Sequence, residues 1–214
     1  KYRFVLMLAF AIAFFNQFSG INAVLYYAPR IFEEAGLGKD ASLFNSIILG
    51  LTNLIFTYLG VMLIDRIGRK KLMLIGSIGY IVSLTIIALS IENNFFVINT
   101  SIFIFSFIAS HAVGQGTVIW VFISEIFPNS LRSKGQAFGS SVHWVLAAVI
   151  PAFTPYLLNS IGSQIIFFFF AFMMFIQLLF VIFIMPETKG ISIELLFKKV
   201  IESKKQKLKH ENNS

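Results

Sequence analysis

The chain alternates between long hydrophobic stretches and short polar segments. Six stretches have at least 20 residues each, and their apolar residues cover every helical face instead of forming one stripe. At about 1.5 Å per residue, roughly 20 helical residues cross the hydrocarbon layer of a bilayer. The pattern therefore predicts an all-α membrane protein with six transmembrane helices, and disfavours a soluble bundle, whose buried helices are usually shorter. We number the stretches spans 1 to 6, and they run over Phe4 to Tyr27, Leu43 to Ile64, Leu72 to Ile91, Val97 to Phe122, Ala137 to Leu158 and Ile165 to Met185.

Composition and charge agree with this prediction and add an orientation. The sequence is 57% hydrophobic and 13% charged and has no cysteine, so disulfides, cysteine-based metal sites and thiol nucleophiles are excluded. Of its 17 Lys and Arg residues, all except Arg30 and Lys39 fall in segments on the same side of the membrane as both termini. The positive-inside rule makes that side cytoplasmic. The basic residues behind the net charge of +7 thus follow the orientation in the membrane. A lipid bilayer is therefore the expected partner, and no nucleic acid is expected.

The end of the chain has a different pattern. From Ile191 to Leu208, apolar residues are interleaved with lysines, which predicts an amphipathic helix on the cytoplasmic membrane surface. A solvated charged tail is the alternative. His210 to Ser214 are predicted to be disordered. The sequence thus divides into a six-helix membrane domain, residues 1–189, and a cytoplasmic helix with a tail, residues 190–214.

Amide side chains inside the spans are the main candidates for function. No Asp, Glu, Lys or Arg lies at mid-membrane depth, but Asn16, Gln17, Asn22 and Asn53 do, and Trp120 lies in span 4. Amides both donate and accept hydrogen bonds, and tryptophan offers a flat apolar face, so the set suits a neutral polyhydroxylated ligand. Interhelical hydrogen bonding between amides is the alternative, and composition alone does not separate the two.

The amides of span 1 cannot meet on a regular helix. At 100° per residue, Gln17 and Asn22 differ by about 140°. Ser19 and Gly20 lie between them and would permit the helix to unwind. A discontinuous helix near the midplane is a common way to build a transporter site.

Enzymatic chemistry is not predicted. Ser141 and His143 are two residues apart and face about 200° away from each other, so they cannot act as nucleophile and base. The sequence has no H-E-x-x-H motif, no paired aspartate and no phosphate-binding glycine loop, so neither a metal nor a cofactor is expected. His111 and His143 are candidate proton carriers, although a packing role is the more ordinary one for a histidine in a span.

Four motifs resemble those of the sugar porter family of the major facilitator superfamily. Gly60 to Lys70 resembles the loop motif G-x-x-x-D-R-x-G-R-K, with one residue more between Gly60 and Asp65. Glu125 to Arg132 matches E-x-F-P-x-x-x-R. Pro186 to Gly190 reads P-E-T-K-G, and Gln17 to Asn22 reads Q-F-S-G-I-N and is followed by Tyr26-Tyr27. The four occur in the family's order, at the expected helix ends, and span nearly the whole chain.

The resemblance implies one half of a major facilitator superfamily transporter. The matched motifs are those of the seventh to twelfth helices, the C-terminal six-helix half, so the N-terminal half is the expected partner. The implied function is transport of a monosaccharide (a hexose, a pentose or a related polyol) by alternating access, and coupling to a proton is left open. A six-span channel or scaffold subunit without sugar transport is the alternative.

The resemblance also implies roles for individual residues. Gln17, Asn22 and Asn53 match sugar-binding amides, Trp120 matches the tryptophan under the sugar, and Asn16 stands where most members have a second Gln. Other positions depart from the family: Gly114-Gln115-Gly116 replaces the commoner G-P-G, and His143 stands where many members have Asn.

Two gates are implied as well. Tyr26 and Tyr27 match an aromatic pair that closes over the sugar from the extracellular side, with an interfacial aromatic belt as the alternative. In the cytoplasmic gate, Glu125 and Arg132 would pair with Arg69 and Asp65 within this half and with partners in the N-terminal half. A solvated charged surface is the alternative. The residues of this second gate are Asp65, Arg66, Arg69, Glu125, Arg132 and Glu187.

Overall fold

The computed structural model describes residues 2–34, 37–92 and 97–191. Their regular structure consists of eight α-helices and one π-helical segment. In chain order these are α1 (Arg3–Phe18), α2 (Ile21–Glu34), α3 (Lys39–Ile67), α4 (Arg69–Glu92), α5 (Val97–His111), the π segment (Ala112–Gly116), α6 (Thr117–Ile126), α7 (Arg132–Ile161) and α8 (Ser163–Phe183).

The helices form six spans that are long and apolar enough to cross a membrane. Helices α1 and α2 make span 1, α3 and α4 are spans 2 and 3, α5 to α6 make span 4, and α7 and α8 are spans 5 and 6. The predicted all-α membrane fold is confirmed. Beyond Ile191, the predicted tail helix lies outside the residues that the structure describes.

Spans 3 and 4 approach each other closely at two glycines. A Cβ atom built at Gly76 would lie 3.0 Å from the Cα atom of Gly114, and the reverse distance is the same. Small residues permit such contact between transmembrane backbones. Helix α4 also packs along α8, and the largest fully buried side chains include Tyr80, Phe107 and Phe122. The core therefore lies around spans 3 and 4.

Spans 2 and 5 lie at the periphery. In the most apolar stretch of each span, only 17% of span 2 and 22% of span 5 is buried. The buried share is 61% in span 1, 50% in span 3 and 56% in span 4. Spans 1, 3 and 4 therefore form the interior, and one side each of spans 2 and 5 is left without a neighbour among the described residues.

Candidate functional site

A break in span 1 positions its polar residues. Helix α1 ends at Phe18 and α2 begins at Ile21, and Gly20 between them has φ +81°, a conformation that favours glycine. The Ser19 hydroxyl donates to the carbonyl oxygen of Asn16 (2.6 Å) and accepts from the backbone N–H of Ile21 (3.3 Å). The discontinuity expected from Ser19 and Gly20 is present.

The break brings three amides into one hydrogen-bonded chain. Asn22 Nδ2 donates to Gln17 Oε1 (2.8 Å), and Gln17 Nε2 donates to Asn16 Oδ1 (2.9 Å). Gln17 Nε2 also lies 3.1 Å from His143 Nδ1 on span 5. Asn16 and Gln17 are buried, at 2% and 1% exposure. Gln17 therefore links both sides of the break to a neighbouring span.

These amides border a cavity of about 300 Å³ formed by spans 1, 2, 4 and 5. A volume of this size lies at the lower end of small-molecule sites, about 300 to 1,000 Å³. The structure brings all five of the predicted substrate-binding residues to this cavity. Its lining residues are Asn16, Gln17, Ile21, Asn22, Leu25, Asn53, Thr57, His111, Gly116, Ile119, Trp120, His143 and Trp144.

Four polar or aromatic lining residues were not among the predicted binding residues: Thr57, His111, His143 and Trp144. The ring of His143 packs edge-on against Trp120, with ring centroids 4.9 Å apart, and against Trp144 at 5.1 Å. From the sequence alone, a single histidine in an apolar span is interpreted as a packing residue. The available signal for His143 was its position where many family members have Asn.

The predicted extracellular pair does not line the cavity in this structure. The Tyr27 hydroxyl donates to the carbonyl oxygen of Pro151 on span 5 (3.1 Å), and Tyr26 is 62% exposed. Tyr27 thus joins α2 to α7, whereas Tyr26 faces outward.

One end of the bundle carries most of the charged residues, and we call it the charged end. There, Arg69 connects spans 3 and 4. Arg69 Nε and Nη2 donate to Glu125 Oε2 (3.0 Å) and Oε1 (2.6 Å), and Nη2 also lies 3.0 Å from Asp65 Oδ1. Arg69 is 7% exposed. Such bidentate arginine–carboxylate pairs are directional as well as charged.

Glu187 connects the end of span 6 to the start of span 3. Its carboxylate oxygens accept from the backbone N–H groups of Arg69 (3.0 Å) and Lys70 (3.1 Å), which are the first residues of α4. It also accepts from the backbone N–H groups of Thr188 and Lys189. A carboxylate at this position satisfies free donors at a helix N-terminus and complements its dipole.

The predicted pairing of Arg132 with Asp65 is wrong. Arg132 Nη2 donates to Asn129 Oδ1 (2.7 Å), and Arg132 Nε is buried with no hydrogen-bond partner within the described part of the chain. Arg132 begins α7 next to Asn129, so its side chain meets its own loop instead of Asp65. Arg66 is exposed, and its carbonyl oxygen accepts from Lys189 Nζ (2.6 Å). Among residues 2–34, 37–92 and 97–191, no group of three or more His, Cys, Asp or Glu side chains could hold a metal ion.

Six apolar spans around an internal polar cavity define a multi-pass membrane protein. The sequence profile of the family described as "Sugar (and other) transporter" matches residues 1–198. The chain therefore belongs to the sugar porter family of the major facilitator superfamily.

Individual relatives agree with this assignment. The chain is 38% identical over 197 residues to the arabinose-proton symporter of Bacillus subtilis, covering 90% of this chain and 42% of that protein. It is 36% identical over 197 residues to the glucose transporter GlcP of Staphylococcus epidermidis, covering 89% and 43%. The solved structure of the proton:xylose symporter XylE bound to 6-bromo-6-deoxy-D-glucose matches with a TM-score of 0.79 and 31% identity, covering 89% and 42%, and XylE is from E. coli. The chain thus spans less than half the length of these proteins.

Proposed function

We propose that this chain is the C-terminal six-helix half of a transporter that carries a monosaccharide across the membrane by alternating access. The observation that carries the proposal is the cavity, in which linked amides and two tryptophans surround a space with no Asp, Glu, Lys or Arg among the described residues that line it. A neutral site of donors, acceptors and flat apolar faces suits a sugar ring, whereas an anionic substrate would call for a buried Arg or Lys. The names of the relatives specify arabinose, glucose and xylose. For this chain, hexose, pentose and polyol all remain candidates, with or without a coupled proton.

The exposed spans support a second six-helix half as partner. Span 5 presents small residues on one exposed face, at Ser141, Ala148 and Ala152. Small residues favour close packing between transmembrane helices, because lipid gives no hydrophobic drive for their association. We place the N-terminal half of the transporter against spans 2 and 5, where it would close the open side of the cavity.

The charged end is proposed to be cytoplasmic, since it carries most of the Lys and Arg residues. The proposed cytoplasmic gate has two layers. Arg69, Glu125 and Glu187 fasten spans 3, 4 and 6 within this half. Asp65, whose side chain is 80% exposed, Arg66 and Arg132 have charged groups left to meet the other half when that side closes. Tyr26 and Tyr27 form the proposed extracellular gate, in which Tyr27 anchors α2 and Tyr26 moves toward the sugar.

Uptake by the full-length transporter in proteoliposomes tests the proposal. We expect saturable uptake of a labelled monosaccharide that unlabelled sugar inhibits. Asn53→Ala should weaken sugar binding by about 1 to 3 kcal/mol, because a sugar hydroxyl loses its partner. Asn45→Ala is the matched control, since Asn45 is an amide on the same helix that bonds to the carbonyl oxygen of Ala41 outside the cavity.

Three results would contradict all or part of the proposal. Wild-type affinity in Asn53→Ala would remove Asn53 from the site. Uptake that rises linearly with sugar concentration would indicate a channel, and a complete lack of uptake or sugar binding would favour a scaffold subunit.

A further inference from the structure

His111 lies between the cavity and the buried interior. It ends α5, is 9% exposed, and lines the same cavity as the amides of span 1. On its other side, His111 Nδ1 is hydrogen-bonded to the hydroxyl of Tyr80, which is fully buried on span 3. The imidazole is therefore held by one of its two ring nitrogens.

The second ring nitrogen lies beside a glycine that borders the same cavity. A Cβ atom built at Gly116 would lie 3.2 Å from His111 Cδ2 and 3.3 Å from His111 Nε2. Gly116 is the last residue of the π segment and also lines the cavity. A side chain at this position would press on the Nε2 edge of the ring, so the glycine leaves that edge open.

The chemistry of imidazole connects the two sides. In neutral histidine one ring nitrogen donates and the other accepts, and the partner of one nitrogen fixes the role of the other. Tyr80 therefore holds the orientation of the ring, and the role that its hydroxyl takes at Nδ1 is coupled to the role of Nε2. A sugar hydroxyl can donate or accept, so it can match Nε2 in either role.

We infer that His111 Nε2 binds one hydroxyl of the monosaccharide and determines specificity for it, with Tyr80 as the positioning residue. The inference rests on the proposed function. It adds to the amides of span 1 a contact from span 4. A site that hydrogen-bonds a particular hydroxyl discriminates strongly against the analogue that lacks it, because the site group then stays unpaired.

The test measures binding of a sugar and its complete set of monodeoxy analogues to the full-length transporter. In wild type, we expect one analogue to bind on the order of tenfold more weakly through loss of the His111 contact. His111→Phe keeps an aromatic ring but removes the nitrogens. It should weaken binding of the parent sugar on the order of tenfold and leave binding of that one analogue unchanged, while the other analogues weaken in parallel with the parent.

Two further variants separate binding from packing. His111→Gln, whose amide can reach the Nε2 position, should restore discrimination against that one analogue. Tyr80→Phe should reduce the same discrimination, whereas Tyr156→Phe, at an exposed site on span 5, should not.

The outcomes distinguish this inference from the proposed function. If wild type binds sugar but His111→Phe weakens the parent and every analogue equally, or none of them, the inference is overturned and the proposed function stands. If wild type binds no sugar at all, the proposed function fails and the inference with it.

Discussion

At the scale of single residues, two buried amides are poorly satisfied. Gln115 and Gln177 are both 0% exposed, and the side-chain oxygen of each has no hydrogen-bond partner among the residues that the structure describes. Gln177 Nε2 donates to the Ser77 hydroxyl (2.8 Å), whereas Gln115 Nε2 donates to the sulfur of Met174 (3.9 Å), a weak acceptor. A buried polar group without a partner costs about 1 to 3 kcal/mol. Gln115 therefore contributes less to stability than its burial suggests.

Gln115→Met should stabilise the protein by about 1 kcal/mol, because it removes an unpaired acceptor at nearly constant volume. The measurement is thermal unfolding of the detergent-solubilised full-length transporter. Gln177→Met is the control, and it should be less favourable because it also removes the bond to Ser77. A lower melting temperature for Gln115→Met than for wild type would show that its amide has a partner.

The location of the cavity residues was easier to predict than their partners. Residue type and motif identified Gln17, Asn22, Asn53 and Trp120, and the family motif located them on helices that must converge. Their hydrogen-bond pattern depends on side-chain conformations and on neighbours far away in the chain. The contact between Gln17 and His143, 126 residues apart, is of this kind.

At the scale of helices, two prolines explain the role of Tyr27. Pro155 has no N–H group, so the carbonyl oxygen of Pro151, four residues earlier, lacks its partner within α7. The Tyr27 hydroxyl donates to that oxygen (3.1 Å) at a point where α2 itself is kinked, with Tyr27 at φ −107° and ψ 15°. The bond therefore joins a kinked position in span 1 to a proline-interrupted position in span 5.

A double-mutant cycle tests this explanation. Tyr27→Phe should destabilise the wild-type protein by about 1 kcal/mol, the value of a typical net hydrogen bond. In a Pro155→Ala background it should cost less, since the introduced alanine would supply the N–H that the Pro151 carbonyl oxygen lacks. Thermal unfolding of the four proteins gives the coupling energy, expected at about 0.5 to 1.5 kcal/mol. Equal effects in both backgrounds would mean that the tyrosine stabilises by packing alone.

The sequence also predicted helix interruptions with unequal success. The break at Ser19 and Gly20 was predicted because three amides otherwise point apart. The π segment Ala112–Gly116 was not predicted, although Gly114-Gln115-Gly116, where the sequence departs from the commoner G-P-G, lies within it. Glycine permits several local geometries, and the close approach of Gly76 to Gly114 selects among them only in the folded bundle.

At the scale of the whole molecule, exposure is not distributed evenly over the spans. Spans 2 and 5 are the least buried. The exposed positions of span 5 include alanine and serine beside large residues such as Phe153 and Tyr156, whereas those of span 6 are all large and apolar, among them Phe168 and Phe172. Large apolar residues suit lipid, and small ones suit another helix. We therefore expect span 5 to face protein in the full-length transporter, and span 6 to face lipid.

Ala148→Trp should accordingly impair the full-length transporter, because the indole would separate the two halves at their contact. Phe172→Trp, at a position that is 58% exposed on span 6, is the control and should be nearly neutral. The measurements are melting temperature and sugar uptake of both purified variants. Equal behaviour of the two would mean that spans 5 and 6 face the same environment.

The charged end separates into groups that are satisfied within the chain and groups that are not. Arg69 and Glu125 are paired with each other, and Glu187 caps α4. We expect these contacts to persist in every conformation of this half. Among the described residues the guanidinium of Arg132 donates only to Asn129 of its own loop, in an exposed contact, and the side chain of Asp65 is 80% exposed although it touches Arg69. The second set has hydrogen-bonding capacity available to a second bundle, so the two sets should respond differently to substitution.

Glu125→Ala should lower the melting temperature, at a cost of about 1 to 3 kcal/mol, because it leaves the buried guanidinium of Arg69 without its main partner. Arg132→Ala should leave stability nearly unchanged but favour the state that is open toward the charged end, since an ion pair formed only on closure is lost. Labelling of Thr57→Cys, a position that lines the cavity, in a cysteine-free full-length transporter measures this shift. We expect faster labelling from the charged end in Arg132→Ala than in wild type. Unchanged labelling together with normal uptake would mean that Arg132 sets topology only, while a stability loss as large as that of Glu125→Ala would place it in the internal network.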